Sequence, residues 1–149
     1  RMPDIALTTD IIVGFPGESE EDFLETMDVV KKVNFDSAFT FIYSRRTGTP
    51  AAKMPDQIPK DVVQDRFDRL LALCTECSRL QTEKYKGTVQ EVLVEGLNPK
   101  QEGLLSGRMS NNSVVHFEGC ESLTGQFVNV RLDEAKGFYY IGTLTEQEK

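Results

Sequence analysis

A chain of 149 residues, 39% of them hydrophobic, is long enough for one ordinary domain, or for an incomplete domain followed by a small complete one. Its net charge of −7 excludes a protein held to nucleic acid by bulk charge, so any RNA contact must come from a local patch. No apolar run approaches the roughly 20 residues that span a bilayer, which excludes a membrane helix. The acidic excess is uneven: residues 1–83 carry 10 basic and 15 acidic side chains, residues 84–149 carry 7 and 9. Three cysteines, an odd number, with no secretory pattern point to reduced thiols and a cytoplasmic setting. The opening Arg1-Met2-Pro3-Asp4 runs almost at once into a strand pattern, which suggests an excised or truncated segment.

The first half alternates strand and helix. Ile11-Ile12-Val13 is a short apolar run suited to a strand buried on both faces. It enters a turn at Gly14-Phe15-Pro16-Gly17. Ser19 with Asp22 three residues on resembles a capping box, and Phe23, Met27 and Val30 follow at helical spacing. Lys31 and Lys32 sit where the last turn favours cations. Ala38 to Tyr43 is a second β-prone run. Strand, helix, strand is a βαβ unit with parallel strands. A loop from Ser44 to Pro59 leads into a long helix, whose stripe is Val63, Phe67, Leu70, Cys74 and Cys77 and which fades near Lys84 to Gly87.

The second half holds five β-rich runs, at Thr88–Val94, Leu104–Met109, Ser113–Phe117, Gln126–Leu132 and Phe138–Leu144. Gly96, Gly103, Gly119, Gly125 and Gly137 separate them. Five short strands with glycine turns predict a small all-β, OB-like barrel. The expected fold is therefore an α/β segment over residues 1–83 followed by a barrel over residues 84–149. One βαβ unit leaves sheet faces uncovered, so the first segment reads as the tail of a larger α/β domain.

Four stretches bear on chemistry. The Gly14–Gly17 turn puts bare backbone at the C-terminal edge of a parallel sheet, where α/β folds bind small ligands; a strand–turn–helix corner without a ligand fits the same residues. Ser44-Arg45-Arg46 lies on that edge, either ready for a carboxylate or phosphate or simply solvated. Cys74 and Cys77 fall on an apolar stripe, where cysteine commonly acts as a small hydrophobe; a zinc site with His116 and Cys120 is the rival reading. His116, the only histidine, alternates with Val115 and Phe117 and so belongs on the outer face, with no Ser or Asp partner indicated. Arg108, Asn111 and Asn112 sit where two strands join, suited either to RNA contact or to an ordinary polar hairpin.

Taken in order, Thr9 to Glu18, Phe35 to Ser44, Gly48-Thr49-Pro50-Ala51-Ala52 and Asp56-Gln57-Ile58-Pro59 resemble the tRNA methylthiotransferases of the radical-SAM class, the MiaB type above its sisters. Val92 to Gly96, Leu105 to Arg108, Val114 to Phe117 and Ile141 to Leu144 extend the resemblance to nearly the whole chain. It implies the end of a radical-SAM partial barrel followed by a TRAM domain, an RNA-binding β-barrel. It implies S-adenosylmethionine and two 4Fe-4S clusters in the parent enzyme, which would place a methylthio group on an isopentenyl-adenosine beside the anticodon. The Gly14–Gly17 turn, with Ile12, Phe15 and Pro16, would border the S-adenosylmethionine, with Ser44 and Arg46 near the same pocket. Arg108, Asn111, Asn112 and His116 would face a tRNA anticodon stem-loop. Met109 and Asn112 stand where members often carry threonine and a basic residue.

The run of three cluster cysteines has no counterpart here, so no catalytic or metal-ligating residue and no bound cofactor is expected in this chain. Weak RNA affinity is expected through residues 84–144. The other expected partners are the N-terminal and barrel portions of the same protein, and a second copy through the open barrel edge. Two rival readings stand beside this one. The first is a sister enzyme acting on threonylcarbamoyl-adenosine in tRNA or on a ribosomal protein. The second is a stand-alone RNA-binding module.

Overall fold

A computed structural model describes residues 5–145. Arg1 to Asp4, on which the reading of the chain's start rested, lie outside the described residues. The chain divides into two compact units, one from Leu7 to Ser78 and one from Arg79 onward that also takes in Ile5 and Ala6.

In the first unit, β1 (Thr8–Val13) and β2 (Ser37–Ile42) pair in parallel, with Ile11 opposite Thr40 and Val13 opposite Ile42. Between them runs α1 (Glu20–Val33). Its start is set by the expected capping box: the Asp22 amide donates to Ser19 Oγ at 3.1 Å, and the Ser19 amide to Asp22 Oδ2 at 2.8 Å. Asn34 in the left-handed region (φ 54°) ends it, its amide donating to the Val30 carbonyl. The helix α2 (Lys60–Glu83) then packs Val63, Leu70, Cys74 and Cys77 with Phe23 and Val30 of α1 and Val13 of β1 in one core.

Strand alternation places Ile11 and Val13 on the helix side. The other face of the sheet shows Ile12, Phe39 and Phe41, each at least half exposed. A strand run that is apolar on both faces calls for cover on both, and only one face has it among the described residues.

The barrel unit is a closed five-stranded barrel in the order β3-β4-β5-β7-β6. Its strands are β3 (Val89–Leu97), β4 (Leu104–Met109), β5 (Val114–Glu118), β6 (Phe127–Ala135) and β7 (Tyr139–Leu144). Neighbours are antiparallel except β5 and β7, whose parallel pairing closes the barrel. Alternation sends Val92, Val94, Leu105, Val115, Phe117, Val130, Leu132 and Tyr140 into a core that is at most 1% exposed.

Gly96 does not separate strands. It lies inside β3 at a register shift, with φ of 145°, so β3 bends there and continues to Leu97. At Gly107 a Cβ would stand 2.6 Å from the Leu93 carbonyl oxygen, and at Gly142 2.5 Å from that of Arg131. Only glycine permits the close backbone crossings that shut so small a barrel. Within the barrel unit, Tyr140 Oη donates to the Thr82 carbonyl at 3.0 Å.

Candidate functional site

In the first unit the strand-to-helix turn is held by charge. Gly14 has φ of 75°, and a Cβ there would meet Val63 Cγ2 at 2.6 Å, so the turn packs on α2 only as glycine. The Gly14 amide donates to Glu18 Oε2 at 3.1 Å, and the other Glu18 oxygen receives Arg66 Nη1 at 2.6 Å. Arg66 is 5% exposed; it also donates to the Glu18 carbonyl (3.0 Å) and to Glu20 (3.2 Å). Its guanidinium carbon lies 5.8 Å from the Phe23 ring centroid. A cation this deep is sustained by full pairing, and here it clamps the turn to α2.

Beside the turn is a cavity of about 470 Å³, lined by Gly14, Tyr43, Ser44, Arg45, Lys60 and Val63 among others. Phe15 meets the Tyr43 ring edge-on, with centroids 5.3 Å apart. The Tyr43 hydroxyl is buried and has no hydrogen-bond partner among the described residues. A buried hydroxyl left unpaired costs on the order of 1–3 kcal/mol, so Tyr43, whose residue lines the cavity, carries an unmet hydrogen-bonding group behind its wall.

Of the residues expected to border a cofactor, Gly14 and Ser44 line this cavity. Ile12 points from the opposite face of the sheet, Phe15 is half exposed beside Tyr43, and Pro16 is buried. The Gly17 amide is taken by the Asp56 carbonyl at 2.8 Å. Arg45, not Arg46, stands on the cavity wall; the Arg46 carbonyl instead accepts from Thr49 Oγ1 at 2.8 Å, closing the loop turn.

In the barrel unit, Arg108 projects from β4. Its Nε donates to Glu95 Oε1 at 2.9 Å, and its Nη1 to the carbonyl and side-chain oxygens of Asn112 at 3.2 and 3.1 Å. Asn112 takes φ of 68° in the β4–β5 turn, which Asn tolerates better than most residues. Asn111 Oδ1 accepts from the Ser113 amide at 3.0 Å. His116 lies on the outer face as alternation required, but it does have a serine partner: Ser106 Oγ is 3.0 Å from its Nδ1. The cross-strand pair Ser106–His116 brings the two together, a register that local sequence does not reveal. Partial burial pushes the His116 pKa down.

Cys74 and Cys77 are buried in the helix core, and burial pushes both thiol pKa values up. Cys120 is exposed in the barrel unit. Among the described residues no group of three His, Cys, Asp or Glu side chains is placed to hold a metal ion, so the zinc reading gains no support.

Residues 83–145 match the TRAM domain family. Over 97% of its length the chain is 57% identical to the tRNA-2-methylthio-N(6)-dimethylallyladenosine synthase of Lachnoclostridium phytofermentans, and covers 32% of that protein. It is 51% identical over 99% of its length to the Clostridium botulinum synthase, covering 32% of it. To the Acetivibrio thermocellus synthase it is 52% identical over 97%, covering 30%. The chain fits the C-terminal third of this synthase family. It spans about a third of the length of the curated relatives it matches, and the closed barrel of the structure is its TRAM domain.

Three further residues stand out in three dimensions. Arg66 sits between Val63 and Leu70 on the helix stripe, and a charged residue inside an apolar stripe was the signal for it. Tyr43 follows the last paired residue of β2, where nothing local foretells burial of its hydroxyl. Tyr139 is the outward neighbour of the core residue Tyr140, which alternation within Phe138-Tyr139-Tyr140-Ile141 does encode.

Proposed function

We propose that the chain serves a methylthiotransferase that adds a methylthio group to N6-isopentenyladenosine next to the anticodon of tRNA, as the barrel-edge and RNA-facing part of that enzyme. The observation that carries this is identity of 50% or more across nearly the whole chain to synthases of that printed name. The barrel, beginning between Arg79 and Lys84, contributes RNA contact through Arg108, Asn111, Asn112 and His116 and works in the cytoplasm.

The cavity beside Gly14 suits the polar end of S-adenosylmethionine. Arg45 and Lys60 line the cavity together with the apolar Val63 and Ile58, cationic residues suited to a carboxylate beside an apolar body. When bound, the cofactor supplies the radical chemistry. The chain's own part is to position it: Arg66 and Glu18 fix the turn, and Ser44 and Arg45 line the wall. Ile12, Phe15, Pro16, Gly17 and Arg46 shape that edge from further out. The described residues offer no ligand set for an iron–sulfur cluster, and no cysteine of this chain is given that role.

The bare sheet face of Ile12, Phe39 and Phe41 takes a preceding portion of the longer protein, or in its absence a second copy. The deciding experiment titrates the chain with an anticodon stem-loop RNA at low and physiological salt. Binding is expected, with Arg108→Ala weakening it more than Arg79→Ala. Equal effects would remove the β4–β5 turn from the interface, and no binding at low salt would remove the RNA role.

A further inference from the structure

The outer face of the barrel is built for a flat uncharged ligand rather than for a string of phosphates. Arg108, Val114 and Tyr139 occupy one rung across β4, β5 and β7, since Arg108 pairs with Val114 and Val114 with Tyr139. Adjacent strands stand about 4.8 Å apart, so the rung is continuous. On the next outward rung His116 leans on Tyr139, with ring centroids 5.1 Å apart and planes at 55°. Ser106 Oγ at 3.0 Å from Nδ1 fixes the imidazole, and Nε2 is bonded to no described residue. Tyr139 is 36% exposed, so part of its ring is open to solvent.

Charge argues against phosphate as the main ligand. Both arginines that project from the strands are already engaged by carboxylates, Arg108 by Glu95 at 2.9 Å and Arg131 by Asp133 at 2.8 Å. Asn112 takes a second edge of the Arg108 guanidinium. What remains is Nη2, free of any described partner and fixed in the plane those bonds set. A fixed N–H donor on the same rung as Tyr139, two strands away, with the His116 ring against Tyr139, matches a nucleobase, whose face stacks and whose edge accepts. In duplex RNA the base faces are covered by their neighbours, whereas an unpaired base presents one.

We infer, on the RNA-binding reading above, that this face holds one unpaired RNA base, stacked on Tyr139 beside His116 with Arg108 Nη2 at its edge. The stack supplies the affinity and the guanidinium the orientation. Stacking tolerates any base, so the site selects for single-strandedness before sequence.

The test is fluorescence anisotropy of the 149-residue chain with an unstructured oligoadenylate and with a duplex RNA of equal length. Oligoadenylate is expected to bind more tightly than duplex. Tyr139→Ala should weaken it about tenfold and Tyr139→Phe less than about twofold, because the ring and not the hydroxyl does the stacking. Affinity should fall only shallowly with salt, as for about one or two phosphate contacts. Ring proton resonances of Tyr139 and His116 should move upfield on adding oligoadenylate, a readout that needs no variant to fold. Unmoved ring resonances, a preference for duplex, or a Tyr139→Ala variant that binds like wild type while Arg108→Ala does not would overturn the stacking site and leave RNA binding by the barrel standing. Absence of binding to any RNA would overturn both.

Discussion

Replacing Arg66 by methionine keeps most of the side-chain stem but removes a cation that is 5% exposed and makes three hydrogen bonds within the first unit. Its main partner, the Glu18 carboxylate, is only 13% exposed and would keep just the Gly14 amide at 3.1 Å. Breaking a buried pair from one side costs about 3–5 kcal/mol, because the remaining charge stays desolvated. The lower end, about 3 kcal/mol, applies here, since Glu20 is 49% exposed and is recovered by water. Arg69→Met is the control: its bonds go to Glu20 and Asp65 at half-exposed positions and its guanidinium also lies 4.7 Å from the Phe23 ring centroid, so it removes a comparable ring contact without a buried ion pair, and its loss should cost clearly less. Adding Glu18→Gln to Arg66→Met should restore part of the stability by removing the stranded charge. The assay is urea unfolding followed through amide resonances of Phe23 and Leu70, with Val92 and Phe117 of the barrel as internal reference. A loss for Arg66→Met no larger than that of Arg69→Met would refute the clamp.

Gly107→Ala should lower barrel stability by about 3 kcal/mol, since its Cβ would press on the Leu93 carbonyl at 2.6 Å, where backbone cannot yield; a thermal melt of the variant checks it. Ser19→Ala removes one half of the capping box and should cost about 1 kcal/mol in urea unfolding of the first unit. The amide of Ser19, then its hydroxyl, hold the Asp22 pKa below the ordinary aspartate value. That contribution is present above the unfolded aspartate pKa and is lost as pH falls through the depressed folded one, so acid titration of Ser19→Ala should show a smaller acid-induced loss than wild type. The Cys120 thiol is exposed and its pKa is drawn down by the hydrogen bond from Ser122, whereas burial raises those of Cys74 and Cys77. Timed alkylation read by mass spectrometry should therefore label Cys120 first, with Cys74 and Cys77 following only on unfolding.

Much of this fold is written in local pattern. Ile11 to Val13 form the expected strand, but not one buried on both faces: Ile11 and Val13 face the core, whereas Ile12 is 55% exposed among the described residues. Ser19 and Asp22 start α1, and all five barrel strands lie where β-rich runs alternate with turn residues. What local pattern leaves out is contact between residues far apart in the chain. Glu18 meets Arg66 only once α2 has docked. Ser106 faces His116 only because of the β4–β5 register, and Tyr139 reaches His116 only through the parallel β5–β7 pairing. Such pairings are set by the sum of inward-facing side chains rather than by any short motif. The cofactor edge divides in the same way: Gly14 was legible as a glycine at a strand end, whereas the choice between Arg45 and Arg46 on the cavity wall turns on loop geometry that a polar run does not encode.

An acidic chain and the proposed RNA-facing barrel are compatible once the charges are located. Both strand arginines spend their charge on carboxylates of the barrel itself, so phosphate gains little from approaching them. The same pairs make those arginines rigid: Arg108 is held at Nε and Nη1 and presents Nη2 in one direction. Rigid donors beside exposed rings discriminate by shape and hydrogen bonding, whereas free lysines attract any polyanion. On the proposed base-binding role, a barrel of this kind draws its affinity from the Tyr139 stack and its orientation from the Arg108 guanidinium, with little help from phosphate. The closed core makes that division of labour possible, because ten buried side chains fix the strands and leave the outer rungs free to carry Arg108, His116 and Tyr139.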